Sequence, residues 1–231
     1  MPSFTLRGLT LTLPDAALRG TLGKALRQGR YEHLEADALL AHLTPADRVL
    51  DLGAGLGFMS ALSARVVGET AVLAVEAGPE TIGLARANLA ANGLSGVRLL
   101  HGAVTGADLG APAIEFGLRP AFWASSVQGR DGWPANARIV QVPSLPIAAL
   151  LADHRPTVLT CDIEGSELEV LTCPLPGVRL IVLETHAKLY GPEGVDQVHR
   201  ALLAQGFVIE PEGTIGKTVV YRRDPDGATP A

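Results

Sequence analysis

Residues 4–13 alternate between apolar (Phe4, Leu6, Leu9, Leu11, Leu13) and polar (Thr5, Arg7, Thr10, Thr12) positions around Gly8, the period of a short strand or hairpin. Asp15 stands where it caps a helix carrying Leu18, Leu22 and Leu26 on one face. The next stripe, Leu34, Ala38, Leu39 and Ala41, predicts a second helix over 32–42 that ends before Pro45. From residue 48 the rhythm becomes strand, helix, strand, helix, the signature of a parallel sheet with helices on both faces. Strands are expected at 48–52, 70–75, 97–100, 137–142, 157–161 and 178–183. Helices are expected from residue 58 and at 79–92, 145–152, 165–171 and 194–204. Two last strands, 207–209 and 218–221, should pair antiparallel at one edge. The fold class is therefore α/β, doubly wound and mostly parallel. A small hairpin-and-helix appendage occupies 1–44, the main domain 45–223, and a polar, frayed tail 224–231.

One segment breaks the rhythm. Residues 101–136 are rich in glycine and proline, hold both tryptophans, Trp123 and Trp133, and offer one short strand at 121–127. An irregular insertion of this length in a compact domain is commonly functional. Following the third central strand, it lies at the carboxyl edge of the sheet, which makes Trp123, Ser125 and Ser126 candidates for contacting a substrate.

Composition narrows the partners. The 231 residues are 47% hydrophobic and 19% charged, with a formal charge of −5 and no lysine- or arginine-rich run. This disfavours nucleic acid, whose binding rests on basic patches, and favours a small molecule. Cys161 and Cys173 have no metal-ligand spacing and sit in apolar surroundings, so they read as buried free thiols suited to a reducing compartment. No signal-peptide pattern opens the chain and no window reaches the ~18 continuous apolar residues of a spanning helix. The expectation is a cytoplasmic protein without membrane contact; a homodimer is left open.

The chemistry gathers at strand ends. Val49, Leu50 and Leu52, with Asp51 among them, lead into Gly53-Ala54-Gly55-Leu56-Gly57 before Phe58 resumes at helical spacing. Glycines without a Cβ allow a sharp turn and let a ligand approach backbone N–H groups. Nineteen residues beyond Gly57, Glu76 closes the second strand, at the distance where an acid accepts hydrogen bonds from a ribose. A bare βα turn and an exposed acid are the plain alternatives. An NAD-dependent oxidoreductase is a rival, but the dinucleotide fingerprint places its third glycine one residue later, where this chain has Phe58. Asp162, Glu164 and Glu167 cluster after the fourth central strand, and Glu184-Thr185-His186 follow the fifth. Asp162 is expected to reach the ligand crevice. Glu164 is either a helix cap or a site residue, Glu167 and Glu169 read as solvent-facing, and His186 suits a general base or a metal ligand. Nothing in the spacing demands a divalent cation, and no metal is expected.

Together, Val49 to Gly57, Val75-Glu76, Asn88 and Asn92, Val97 with Ala103-Val104, Ser144-Leu145, Asp162-Ile163-Glu164-Gly165-Ser166-Glu167 and Glu184-Thr185-His186 resemble the FkbM family of S-adenosylmethionine-dependent methyltransferases, across about 31–206. The resemblance implies a class I methyltransferase fold with a seven-stranded sheet and S-adenosyl-L-methionine as cofactor. It places Tyr31, Asp51, Gly53, Ala54, Gly55, Gly57, Glu76, Ala103, Val104 and Asp162 around that cofactor, with Glu76 on the ribose. It also implies O-methylation of a hydroxyl on a small molecule or sugar. A base is then needed; the candidates are His186, then Asp162, with Glu184 orienting and Glu164 near the acceptor. A non-catalytic binding module is the remaining alternative, and base-nitrogen methylation is disfavoured because no N-P-P-Y-like block follows the fourth strand.

Overall fold

The computed structural model describes residues 1–119, 125–127, 133 and 136–223. Strands β1 (Ser3–Leu6) and β2 (Leu9–Thr12) form the antiparallel hairpin that the alternation predicts. The helix expected next is in fact two pieces, a 3-10 turn at Asp15–Leu18 and α1 (Thr21–Arg27), because Gly20 sits at φ 82° between them; Asp15 caps neither. Helix α2 (His33–His42) buries Ala36, Ala38 and Leu39 but leaves Ala41 exposed.

The central run follows the predicted order: β3 (Val49–Leu52), α3 (Phe58–Val67), β4 (Val72–Glu76), α4 (Thr81–Ala91) and β5 (Arg98–His101). About half of the described residues in the stretch expected to be irregular are strand; of the short strand expected at 121–127, residues 121–124 lie outside the described residues. The stretch holds β6 (Ala103–Thr105), β7 (Ala113–Leu118) and β8 (Ser126–Val127), and β9 (Arg138–Pro146) runs four residues past the predicted strand before α5 (Ile147–His154) begins. Then come β10 (Val158–Cys161), the short α6 (Glu167–Val170), β11 (Leu180–Glu184), α7 (Ala187–Ala204, kinked at Gly191), β12 (Phe207–Ile215) and β13 (Thr218–Arg223).

Seven strands form the main sheet in the order β12-β13-β11-β10-β3-β4-β5. The sheet is mixed. β11, β10, β3, β4 and β5 pair in parallel, while β13 runs antiparallel to both β11 and β12. Every residue of β3, β10 and β11 is buried, which accounts for their continuous apolar runs: a parallel strand covered by helices on both faces has no solvent side to alternate toward. Leu50, Leu52, Leu159 and Ile181 pack with α5 and α7 on one face, and Val49, Ala74, Val158 and Val182 pack with α2 and α3 on the other. A second sheet, β6-β9-β7-β8, stands beside the first around Phe116, Val142 and Ala103.

Two polar devices fix this frame. Asn88 of α4 and Asn92 at its carboxyl cap accept from the Thr12 and Thr10 amides at 2.8 Å each and so bind the amino-terminal hairpin to the main domain. At the opposite ends of the strands, Asp47 accepts from Arg179 Nε at 2.8 Å, Thr157 Oγ1 at 2.7 Å and the Thr44 amide at 2.8 Å. Burial pushes this carboxyl up, but the hydrogen bonds from Arg179, Thr157 and Thr44 outweigh it and hold the group well below the usual carboxylate range. A depressed folded-state value means stabilisation that is complete above about pH 4 and drains as pH falls further. Asp47→Ala is expected to lower unfolding free energy by about 2–3 kcal/mol near neutral pH, since it strands a half-buried guanidinium. Urea titrations at pH 7 and pH 3 should show the gap between wild type and variant shrinking at the lower pH.

Candidate functional site

The carboxyl ends of β3, β4, β10 and β11 open onto a cavity of about 350 Å³. Its floor is the turn after β3, where Gly53, Gly55 and Gly57 adopt φ of 85°, 52° and 80°. The amides of Gly53 and Ala54 donate to the Val75 carbonyl at 3.0 and 2.9 Å, tying the turn to β4. A Cβ on Gly53 would lie 1.8 Å from the Asp162 carbonyl oxygen, so at this position only glycine lets the β3 and β10 turns meet.

Glu76 accepts from the Gly55 amide at 2.8 Å and from the Gly78 amide at 2.7 Å. Burial raises its carboxyl, and these two bonds only partly offset the rise, leaving it at about 7. Tyr31, Gly53, Gly55, Ala103, Val104 and Asp162, all expected around the cofactor, line the cavity with Glu76. Three other expected residues have different surroundings. Asp51 is buried and accepts from Thr160 Oγ1 at 2.6 Å and from Ser60 Oγ, holding β10 and α3 together. Ala54 is buried at 2% exposure. Gly57 packs on Ala85 and Leu89 of α4.

Opposite Glu76, Asp162, Glu164 and Glu184 line the wall. Glu164 and Glu32 both hold left-handed backbone, φ 47° and 46°, a conformation costing roughly 1–3 kcal/mol in a non-glycine residue and concentrated at working sites. Of the substrate candidates in the second sheet, Ser125 lines the cavity beside Val127 and Phe116. Ser126 instead offers its carbonyl to Trp133 Nε1 at 3.3 Å; Trp123 lies outside the described residues.

His186 does not line the cavity; it sits behind the acidic wall with a side chain only 10% exposed. Its Nδ1 is 3.0 Å from Glu167 Oε1, and its Nε2 is 3.3 Å from Asp162 Oδ1, 3.3 Å from Glu184 Oε1 and 3.7 Å from Glu164 Oε2. Burial lowers its basicity, but Glu167, Glu184 and Asp162 reverse this and lift it to about 11. Glu167, read from the sequence as solvent-facing, is fully buried. It accepts from the Ile163 amide at 3.1 Å and the Gly165 amide at 2.8 Å as well as facing His186. Its periodicity gave no warning, because the helix it starts has only four residues.

The sequence reading did not place every charged group of the cavity. Glu35 projects from α2 and accepts from Thr218 Oγ1 at 2.6 Å, and Lys217, on the β12–β13 turn, contacts Glu184. Both come from elements that read as outer decoration. Six carboxylates, Glu32, Glu35, Glu76, Asp162, Glu164 and Glu184, thus line the cavity against Arg30 and Lys217. Burial pushes the Glu32, Asp162 and Glu164 carboxyls up and leaves Glu76 at about 7, so a positively charged ligand suits the enclosure by favouring their ionised form.

Residues 51–209 match the methyltransferase FkbM domain. Among solved structures, the chain resembles methyltransferase FkbM from Methylobacillus flagellatus KT at 16% identity, with 91% of this chain and 55% of that one covered and a TM-score of 0.51. It also resembles ribosomal protein L11 methylase from Lactobacillus delbrueckii subsp. bulgaricus at 14% identity, covering 83% and 78%, with a TM-score of 0.48. A curated relative, protein-L-isoaspartate O-methyltransferase of Methanoregula boonei (strain DSM 21154 / JCM 14090 / 6A8), is 42% identical over 74 residues, 32% of this chain and 33% of that protein. The chain thus spans about a third of the length of that relative. Among the described residues no helix is long and apolar enough to cross a membrane. With the family domain covering more than half of its length and the glycine turn, Glu76 and Asp162 gathered at one cavity, the chain belongs to the FkbM methyltransferase family, whose methyl donor is S-adenosylmethionine.

Proposed function

We propose that this protein transfers the methyl group of S-adenosylmethionine to a hydroxyl of a small molecule or sugar. The observation that carries the reading is the acid-lined cavity with Glu76 on one wall and Asp162 on the other. The cofactor is a sulfonium cation, whose charge favours the ionised form of the six carboxyl groups around it. A dinucleotide would bring an anionic pyrophosphate to the same carboxylates, so the oxidoreductase alternative is disfavoured on charge as well as on glycine spacing.

In this reading the methionine part lies over Gly53 and Gly55, Glu76 accepts from the ribose hydroxyls, and Ala103 and Val104 border the adenine. Ser125 and Glu164 face the acceptor. Asp162 takes the acceptor's proton as the oxygen lone pair forms the new C–O bond. The S–C bond breaks, and its electron pair stays on sulfur as the neutral thioether of S-adenosylhomocysteine. The protein contributes alignment and exclusion of water, worth up to ~7–11 kcal/mol in favourable cases, with the base adding about 10²–10⁴ in rate. His186, the first candidate for base from the sequence, acts here through Asp162 and Glu184, because its Nε2 is enclosed by them and does not face the cavity.

Calorimetry should detect S-adenosylhomocysteine binding, with Glu76→Ala weakening it about 10- to 100-fold, the size of one or two charge-assisted hydrogen bonds. Because the Glu76 carboxyl lies at about 7, wild-type affinity should fall as pH drops from 8 to 6, since the protonated acid accepts less well; the Glu76→Gln profile should be flat. Binding of NADH with none of S-adenosylhomocysteine would sink the reading. A second expectation concerns Asp162→Asn: cofactor binding stays within a few-fold of wild type while turnover of any hydroxyl acceptor, followed by S-adenosylhomocysteine release, falls by about 10²–10⁴. Unchanged turnover would remove Asp162 from the chemistry.

A further inference from the structure

Two atoms in the acidic wall have no satisfactory partner. Asp162 Oδ1 and His186 Nε2 are each shielded from solvent and each without an aligned hydrogen bond, although only 3.3 Å separates them. A buried donor or acceptor left in this state costs about 1–3 kcal/mol, and native structures rarely tolerate one without a reason. Here two such atoms stand side by side.

We propose that this spot is a divalent metal site, with His186 Nε2, Asp162 Oδ1 and Glu184 Oε1 as protein ligands and Glu164 within reach as a fourth. Ligand atoms of Asp162, Glu167 and His186 lie within 4.8 Å of one another; Glu167, on Nδ1, stands behind the histidine rather than among the ligands. Around Nε2 the oxygens of Asp162, Glu184 and Glu164 stand at 3.3, 3.3 and 3.7 Å. Ligand atoms bound at about 2.0–2.1 Å to one ion are separated by about 3.0 Å at octahedral angles and about 3.3 Å at tetrahedral ones. The first two separations therefore have the size of a coordination edge, and the third needs a shift of a few tenths of an ångström.

Glu167 supplies the second argument. It sits at the other ring nitrogen, Nδ1, at 3.0 Å, and is itself fixed by the Ile163 and Gly165 amides. A carboxylate gripping one imidazole nitrogen fixes the ring's orientation, so that an ion displacing the proton on the other nitrogen finds its lone pair aimed at it, the arrangement that commonly stands behind a metal-bound histidine. Full burial of Glu167 is what makes this grip rigid. One imidazole with two or three carboxylates suits manganese, iron or zinc better than calcium or magnesium, which prefer oxygen alone. Lys217 contacts the same Glu184 oxygen; its side chain is 60% exposed, so giving up that oxygen to an ion would bury no charge.

The site opens on the cavity, since Asp162, Glu164 and Glu184 line it while His186 closes it from behind. Its role rests on the methyl-transfer reading: an ion here would bind the acceptor oxygen and lower its pKa, leaving the second Asp162 oxygen to receive the proton.

The test is manganese binding to full-length, chelator-treated protein, followed by electron paramagnetic resonance with Mn²⁺ alone as probe. One bound ion per chain is expected, with affinity reduced at least 100-fold in His186→Ala and about 10- to 100-fold in Glu167→Gln, which loses only the grip on Nδ1. Absence of stoichiometric Mn²⁺ in the wild type, or equal affinity in wild type and His186→Ala, overturns the proposal. The wild-type stoichiometry decides the matter even where a variant fails to fold. S-adenosylhomocysteine binding is measured on the same samples. Retained cofactor binding without metal defeats this inference alone, whereas bound metal without cofactor binding defeats the methyl-transfer reading and leaves the site standing.

Discussion

The structure depends on the approach of the Gly53 backbone to the Asp162 carbonyl, which leaves no room for a Cβ between them. Parallel β3 and β10 pair from Val49↔Val158 to Leu52↔Cys161, so their following turns emerge side by side. Any side chain on Gly53 would force those turns apart. Contact between them joins the glycine turn to the acidic wall of the cavity. The Glu76 hydrogen bond to Gly55 extends the same constraint to β4, so three strand ends answer to one backbone position.

Fold and site were legible to different degrees. The parallel strands announced themselves because burial on both faces demands unbroken apolar runs, as in β10 with Val158, Leu159, Thr160 and Cys161. The second sheet did so only in part: strands were expected where β8 and β9 lie, but not at β6 or β7. Its β7 alternates Ile114, Phe116 and Leu118 with Glu115 and Gly117, yet prolines and glycines on either side read as loop, and its partner β9 lies twenty residues further along the chain. Strand pairing over that distance leaves no local trace. Asp15 illustrates the opposite error: a good cap by type, overridden by a glycine five residues later whose positive φ starts a new helix.

At the site, glycines and acids on strand tips were found because topology alone sends them to the crevice. Residues that matter through tertiary contact were not. Glu167 looked like one more acid on a short helix until two amides and an imidazole converged on it. Asp51, by contrast, stood beside the glycine turn and looked like a ligand contact, but its oxygens are taken by Ser60 and Thr160. Proximity in sequence to a functional loop is a weaker guide than the count of donors already pointing at a carboxylate.

The separation of the two sheets has a consequence for how this protein can change. Hydrogen-bond ladders hold β3, β4 and β10 in one sheet and β6 to β9 in another. Ser125, Val127 and Phe116 reach the cavity from the second. Insertions or deletions between Leu118 and Arg138, where β7 and β9 part, therefore leave the register of the first sheet untouched. One side of the cavity is inherited as fixed hardware, and the facing side is open to substitution by selection without a refolding penalty on the other.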